Sequence, residues 1–403
     1  MGMEIKDKLY RLYKWEYFFL CVIVIATLIM HFCIVTRPTD LILDEQHYIK
    51  DARNIMQNHE SLRTEHPPLA KLIIVAGIKT FGDNPWGWRV FPILFGTVSI
   101  VLFYFLCRRL NMSPTASNIA AFLLAFENLT FLQASVAMLD VFCLTFMLAA
   151  FLLYVNRRYI NSGIAVGLSA LAKLNGALAL PVIFIHWIFS RQGRSRGIIF
   201  TILFSILSFV ELMILFEYII AQRVTSSLDP FLRIKDMLSL SGSLTFATVT
   251  HPYASHPWDW LISYKPMAYW YMPHYTAAIS FTIWALIIPT FAYLVYKAVK
   301  RDEAGLFGLA WFAGTYLIWI PVTLITDRVN YIYYFYPAVG AICIGVALGL
   351  SRLIDIFRNR PSGKLKWTAL SVVIFILFMH LVSFLILSPL IPVDFAKLVG
   401  LTG

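Results

Sequence analysis

The sequence predicts an all-α, polytopic membrane protein, and three observations lead to this prediction. Apolar residue types make up 59% of the 403 residues and charged types only 14%, whereas a soluble domain is roughly 25% charged. Several stretches of 18 or more mostly apolar residues are long enough to cross a bilayer as helices. The net charge of +11 comes from Lys and Arg in short clusters between these stretches. The pattern excludes a soluble enzyme, a secreted disulfide scaffold and a nucleic-acid-binding domain.

The apolar stretches predict about eleven transmembrane helices. The first, at about 17–36, is longer than a signal-peptide core and has no cleavage site, so we interpret it as a retained helix. Ser113 and Pro114 supply an N-cap and a first-turn proline for the third helix. The other predicted helices lie at about 88–107, 114–130, 138–155, 161–174, 177–190, 197–220, 277–298, 305–324, 332–350 and 367–388.

The basic clusters predict that the N-terminus is cytoplasmic. With that orientation, every connection on the cytoplasmic side carries Lys or Arg, as the positive-inside rule requires. Two long stretches, 37–87 and the aromatic-rich 221–276, then fall on the outer side, where long loops between packed helices are usually functional. We expect residues 1–403 to form one membrane domain. The cytoplasmic cations are Lys6, Lys8, Arg11, Lys14, Arg108, Arg109, Arg157, Arg158, Arg191, Arg194, Arg196, Lys297, Lys300, Arg301, Arg352, Arg358, Arg360, Lys364 and Lys366.

The first outer loop carries two adjacent carboxylates, Asp44 and Glu45. Helical spacing over 44–58 predicts an interfacial helix that begins at Asp44, where backbone N–H groups stabilise a negative charge. Asp44, His47, Tyr48 and Asp51 share one face of this helix. Glu45 lies about 100° around the helix, so we expect the two carboxylates to have different tasks. An N-capping Asp on a surface helix is the competing interpretation.

Further polar side chains are predicted to lie level with this loop. His66 precedes two prolines, which fix an extended backbone before the apolar segment 69–81. That segment is too short to span and is expected at the membrane interface. Asp140, Lys173 and Arg328 fall near the outer ends of their predicted helices, where they could converge on the loop.

Other ionisable residues have weaker claims on a site. Arg89 lies at the outer end of the second predicted helix, where a snorkelling anchor is the competing interpretation. Glu211 lies deeper in the seventh predicted helix and is excluded from the site as a member of a structural pair. His66, His251 and His256 could bind a metal, but their spacing has no HxxxH or HxH pattern to support one.

A lipid-phosphate substrate would suit this combination of a carboxylate, cations at the same level and an apolar wall. A carboxylate can accept the proton of an attacking hydroxyl group. Arg and Lys can bind a phosphate that gains charge as it leaves.

Several segments, in this order, resemble one family. The chain is similar, from Asp44 to about Pro337, to the protein O-mannosyltransferases, membrane glycosyltransferases of the GT-C fold. The segments that carry the resemblance are Asp44-Glu45, Glu65 to Leu72, Phe81-Gly82-Asp83 before Arg89, Gln133-Ala134-Ser135 before Met138-Leu139-Asp140, Leu168 to Gly176, His251 to Trp260, and Arg328 before Tyr331 to Tyr334.

The resemblance implies transfer of mannose, with inversion, from a polyprenyl (dolichyl) phosphate carrier to Ser or Thr of a protein. It implies that Asp44 is the catalytic base and that Glu45 orients the base or the acceptor. No cofactor is required, although a divalent ion held by Asp44, Glu45 and Asp140 is an alternative. The residues implied to bind the donor phosphate are Arg89, His66, Lys173 and Arg328, and the supporting residues are Asp140, His47 and His251.

Some features depart from the family, and other functions stay open. The stretch 221–276 is too short for the soluble MIR domain of eukaryotic members, which favours a prokaryotic plasma membrane over the endoplasmic reticulum. His256 stands where a basic residue such as Arg is expected. The acceptor could instead be a lipid or lipid-linked glycan, as in the similar aminoarabinose transferases. A lipid or sugar transporter is a further alternative, although no inverted repeat supports it.

Overall fold

The computed structural model describes residues 16–190, 196–359 and 361–391. Each of the eleven apolar stretches is helical. Six helices are long and apolar enough to cross a membrane, or seven if one bent pair counts as a single span; four more apolar helices are shorter. The number of helices that cross the bilayer and the side of the N-terminus therefore stay predictions. The cations that lie outside the described residues are Lys6, Lys8, Arg11, Lys14, Arg191, Arg194 and Arg360.

Seventeen α-helices and one short hairpin build the described part of the chain. Short 3₁₀ turns lie at Leu174–Leu178, Ser226–Leu228 and Ile332–Ala338, and a π-helical turn lies at Ala313–Leu317. The elements are α1 (Phe18–Ile34), α2 (Glu45–Asn58), α3 (Leu69–Phe81), α4 (Pro85–Arg109), α5 (Pro114–Ala125), α6 (Asn128–Ser135), α7 (Leu139–Val155), α8 (Tyr159–Ala172), α9 (Ala179–Phe189), α10 (Gly197–Ala221), α11 (Pro230–Gly242), α12 (Asp259–Ile262), β1 (Met267–Trp270), β2 (Tyr275–Ala277), α13 (Phe281–Val299), α14 (Glu303–Phe312), α15 (Trp319–Thr326), α16 (Val339–Asn359) and α17 (Lys364–Leu387).

The predicted third span, 114–130, is not one straight helix. It is broken into α5 and α6, which meet at an angle of 57°. One oxygen of the Glu127 carboxylate accepts the backbone N–H of Thr130, and the other accepts that of Ser280. The buried carboxylate thus caps α6 and ties it to the start of α13. Hydropathy alone predicted one continuous helix, but the Glu127 cap begins a second helix there.

The exposed apolar side chains are distributed as expected for a protein surrounded by lipid. On α10, α13 and α17 less than a third of the apolar window is buried, whereas the interior helices α4 and α16 bury more than half of theirs. A surface this apolar is stable only in a bilayer or under a partner. The chain is an integral, multi-pass membrane protein.

The two long loops place short elements on one side of the bundle. The first loop contains α2 and α3, as the spacing predicted, and α2 buries Tyr48, Ala52 and Ile55. The second loop contains α11, α12 and an antiparallel hairpin in which Met267 pairs with Ala277. The hairpin departs from the all-α prediction, and its aromatic residues Tyr269, Trp270 and Tyr275 are of a type that favours strands.

Candidate active site

A polar cavity of about 280 Å³ lies where the first loop meets the 173–175 turn and the segment around Arg328. A larger cavity of about 480 Å³ lies beside it, but Asp44 lines only the smaller one. The smaller cavity therefore holds the candidate chemistry. Its lining residues are Asp44, His47, Tyr48, Arg63, Glu65, His66, Lys173, Leu174, Asn175, Leu240, Ser241, Leu244, Arg328, Tyr331, Tyr333 and Tyr334.

Asp44 faces this cavity instead of capping α2. It occupies the N-cap position, but its side chain accepts no capping hydrogen bond, so the competing surface-cap interpretation is wrong. Burial raises the pKa of Asp44, and the nearby Asp140 carboxylate adds to the rise, while Lys173, His47 and Arg63 oppose it. A carboxylate with a raised pKa is a stronger base than an exposed one.

Glu45 and Arg89 form a buried ion pair behind Asp44. Arg89 Nη2 lies 2.8 Å from Glu45 Oε2, Nε lies 3.0 Å from Oε1, and both side chains are fully buried. The Glu45 carboxylate also accepts the backbone N–H groups of Ile42 and Ala137. It therefore ties the first loop to the junction before α7. The sequence predicted different tasks for the two carboxylates, and the structure gives them different surroundings.

The predicted phosphate contact of Arg89 stays a prediction, and the structure shows its guanidinium held by other partners inside the protein. Its guanidinium donates two hydrogen bonds to Glu45 and three to the backbone carbonyls of Val35, Pro38 and Asp40. All five N–H donors of an arginine are thus used. Arg89 does not line the cavity. The sequence predicted the position of Arg89 at the end of its helix but could not show that its N–H donors already have partners.

Lys173 reaches the cavity from the point where α8 ends. Gly176 lets the following 3₁₀ turn pack against the backbone of Ser169, where a Cβ would lie 2.2 Å from the Ser169 carbonyl carbon. Lys173 Nζ lies 2.8 Å from both carboxylate oxygens of Asp140. It also lies 5.3 Å and 5.5 Å from the ring centroids of Tyr333 and Tyr334, within cation–π range. Asp140 therefore positions Lys173, and the predicted convergence of this pair on the first loop is confirmed.

A strap of chain, residues 61–66, forms another wall and is held from behind by two buried cations. Lys71 Nζ donates to Ser61 Oγ at 2.7 Å and to the Arg63 carbonyl, with Asp51 3.7 Å away. Arg233 on α11 donates to the carbonyls of Thr64 and His66. The strap's carbonyl groups thus point away from the cavity, while side chains of the strap line it.

Arg63 is a cavity residue that sequence analysis missed. About a third of its side chain is exposed, and its only described ion pair is a loose 3.4 Å contact with Glu65. It therefore keeps N–H donors for a ligand, which Arg89 does not. No local pattern marks Arg63 as functional, because only the buried cations behind the strap direct it into the cavity.

Two histidines line the same cavity. Tyr48 Oη lies 3.4 Å from His66 Nε2. Burial, together with the positive charges of Lys173, Lys71, Arg63 and Arg328, lowers the pKa of His66 well below its usual value. Burial and Arg63 likewise lower the pKa of His47. Both pKa shifts favour the neutral imidazole, which can both donate and accept a hydrogen bond.

Arg328 lines the cavity beside the second loop. Its guanidinium donates to the Ser241 carbonyl and to Tyr334 Oη at 3.3 Å. His251 packs edge-on against Tyr331, which lines the cavity, but His251 itself does not line it. His251 therefore supports the cavity wall and does not face a ligand. His256 stacks between Phe246 and Trp258.

Two of the three carboxylates named as alternative metal ligands have other partners. Glu45 pairs with Arg89, and both oxygens of Asp140 contact Lys173. In the ranges that the structure describes, no three His, Cys, Asp or Glu side chains group in a way that could hold a metal ion.

This bundle, with its cavity beside the first long loop, has the fold of the GT-C membrane glycosyltransferases. It superposes on the S. cerevisiae protein O-mannosyltransferase Pmt1–Pmt2 complex bound to the sugar donor, with a TM-score of 0.75, 12% identity, and coverage of 94% of this chain and 90% of that one. It also superposes on ArnT from Cupriavidus metallidurans bound to undecaprenyl phosphate, with a TM-score of 0.61, 15% identity, and coverage of 96% and 73%.

The sequence comparisons relate the chain to the protein O-mannosyltransferases. The family model described as dolichyl-phosphate-mannose-protein mannosyltransferase matches residues 65–219. A relative from Corynebacterium glutamicum, a polyprenol-phosphate-mannose–protein mannosyltransferase, is 24% identical, and the match covers 89% of this chain and 88% of the relative. The family assignment predicted from the sequence is confirmed.

Proposed function

We propose that the chain transfers mannose from a polyprenyl phosphate to Ser or Thr hydroxyl groups of proteins. One observation carries the proposal: the Asp44 carboxylate, without a capping partner, shares its cavity with Arg63, Lys173 and Arg328. A base and phosphate-binding cations are the two components that such a displacement needs. The family and the matched relatives support mannose as the sugar and protein as the acceptor.

The reaction is a single displacement with inversion. Asp44 accepts the proton of the acceptor hydroxyl as its oxygen attacks the anomeric carbon of mannose. The bond from that carbon to the phosphate oxygen breaks, and its electron pair leaves with the polyprenyl phosphate. Lys173, Arg328 and Arg63 stabilise the departing phosphate. Because phosphate is a good leaving group, the proposal includes neither a separate acid nor a metal ion.

The test is transfer of radiolabelled mannose by the purified protein in detergent. The donor is polyprenyl-phosphate mannose, and the acceptors are a Ser/Thr-rich peptide and, separately, a lipid extract, each with and without EDTA. We expect label on the peptide that is insensitive to EDTA and lost in Asp44→Asn. Asp40→Asn is the matched control, because Asp40 is an exposed carboxylate outside the cavity.

Two results would contradict the proposal. Near-normal transfer by Asp44→Asn would remove this residue as the base. Label found only in the lipid fraction would move the enzyme to the lipid-modifying alternative, with the same fold and cavity.

A further inference from the structure

A groove of about 620 Å³ lies between α1, α5, α16 and α17. Phe19 and Val22 on its rim are exposed, so the groove opens toward the membrane. Among the described residues it shares none with the cavity that holds Asp44. The groove follows the first half of α1, whereas Asp44 comes ten residues after Ile34, where α1 ends. The groove therefore lies at the opposite end of the bundle from the candidate active site.

The groove is polar at one end and apolar along the rest of its length. Glu16, Asn118 and Arg358 lie where α1 and α5 begin and α16 ends. From there the walls are apolar as far as Phe126, at the break between α5 and α6. The twelve residues from Pro114 to Phe126 rise about 18 Å along a helix, close to the ~15 Å of half a bilayer's hydrocarbon core. The groove thus has the length and polarity of one lipid in one leaflet.

The polar end of the groove carries a net positive charge. Glu16 is already paired with Arg108, at 2.9 Å. Arg358 is exposed and has no ion pair within the described residues, and Asp355, one turn before it, does not line the groove. Lys366 on the adjacent α17 packs over the residue before Arg358. Basic pockets between membrane helices bind anionic lipid headgroups.

Asn118 is a second polar group on this wall that lacks a partner. Its side chain makes no hydrogen bond within the described chain, although its oxygen is buried. Such a group is unfavourable unless a ligand or water binds it. Asn118 lies four residues along α5 from Pro114, or about 6 Å deeper in the groove. Its NH₂ group is a donor, and phospholipids carry ester carbonyls, which are acceptors, just below the phosphate.

We propose that this groove binds an anionic phospholipid from the leaflet opposite the candidate active site. The phosphate lies beside Arg358 and Lys366, an ester carbonyl accepts a hydrogen bond from Asn118, and one acyl chain follows α5 toward Phe126. The positive end favours an anionic headgroup over a zwitterionic one. The ester carbonyl distinguishes this ligand from a polyprenyl phosphate, which has the phosphate but no ester group.

The experiment is a lipid titration of the purified full chain in detergent, followed by native mass spectrometry. The probes are phosphatidylglycerol, phosphatidylcholine and undecaprenyl phosphate. We expect Arg358→Gln to weaken phosphatidylglycerol binding about fivefold, the effect of one cation at an anionic headgroup, and to leave phosphatidylcholine unchanged. Arg352→Gln is the matched control, because it removes the same charge from an exposed position of α16 outside the groove.

Two further variants test the deeper part of the groove. Ala26 lines it, so the indole of Ala26→Trp should exclude the acyl chain and remove one bound phosphatidylglycerol. Ile25→Trp is the matched control, because Ile25 is exposed outside the groove. Asn118→Leu should weaken both phospholipids about twofold to tenfold, as loss of one hydrogen bond predicts. Unchanged circular dichroism shows that each variant is folded.

Four results would overturn the proposal. The parent chain could bind phosphatidylcholine as tightly as phosphatidylglycerol. Arg358→Gln and Arg352→Gln could have equal effects, or Ala26→Trp could bind phosphatidylglycerol like the parent chain. Loss of undecaprenyl phosphate binding in Ala26→Trp would show that a polyprenyl phosphate occupies the groove instead.

Discussion

The Arg89–Glu45 pair gives the sharpest test of the site as the structure presents it. Arg89→Met keeps an apolar side chain of similar length but removes all five hydrogen bonds that the guanidinium donates. It also leaves the fully buried Glu45 carboxylate without its cation. Breaking a buried ion pair by removing one partner typically costs about 3–5 kcal/mol. We expect Arg89→Met to lose that much stability.

The free energy of unfolding can be followed in mixed micelles of mild detergent and dodecyl sulfate. The second measurement is donor KM for whatever fraction of Arg89→Met remains folded, which should be unchanged. The double variant Glu45→Gln, Arg89→Met removes the unpaired charge and keeps an acceptor near Ile42 and Ala137. We expect it to be more stable than Arg89→Met alone by about 0.5–3 kcal/mol, the usual range of coupling between contacting residues.

A different pattern would refute the structural reasoning. If Arg89→Met is as stable as the parent and instead raises donor KM, Arg89 binds the phosphate and does not form the buried ion pair with Glu45. If the double variant is no more stable than the single one, the Glu45 charge is not the source of the loss.

Three further substitutions separate catalysis from support. Lys173→Met removes a charge that lowers the pKa of Asp44. Because the base must be ionised, the acid limb of the pH–rate profile should move to higher pH. An unmoved limb would argue against Asp44 as the base. Arg63→Gln should lower kcat/KM for the donor about tenfold to a hundredfold, as loss of one charged hydrogen bond predicts, with unfolding unchanged; normal donor kinetics would remove it from the site. Lys71→Met leaves the buried Asp51 without its cation and should cost about 3–5 kcal/mol of stability in mixed-micelle unfolding. A fully stable variant would contradict the role of Lys71 in holding the strap.

Parts of the site could be predicted because their positions follow from local periodicity and span ends. The helical spacing after Asp44 placed His47 and Tyr48 on one face, and all three line the cavity. The topology brought Lys173 and Arg328 to the level of that face. Asp51, one further turn along α2, instead accepts hydrogen bonds from the strap.

Other parts could not be predicted, because they depend on which partner each charge finds in three dimensions. The sequence does not distinguish Arg89 from Arg63, because each is a basic residue in or near the first loop. Only packing shows that Arg89 is fully buried against Glu45, while Arg63 remains about one-third exposed in the cavity. Arg233, which holds the strap, lies 167 residues from His66, and no spacing rule connects them.

The sequence by itself determined that the chain lies in a membrane, where its helices fall and which family it resembles. Hydropathy and charge clusters are local properties, and a bilayer imposes helices on any chain that carries them. The tertiary structure decided which carboxylate faces the cavity, which cations are free to meet a phosphate, and that Glu211 is exposed on α10. These outcomes depend on burial and on competition for hydrogen-bond partners, which arise only when distant segments pack together.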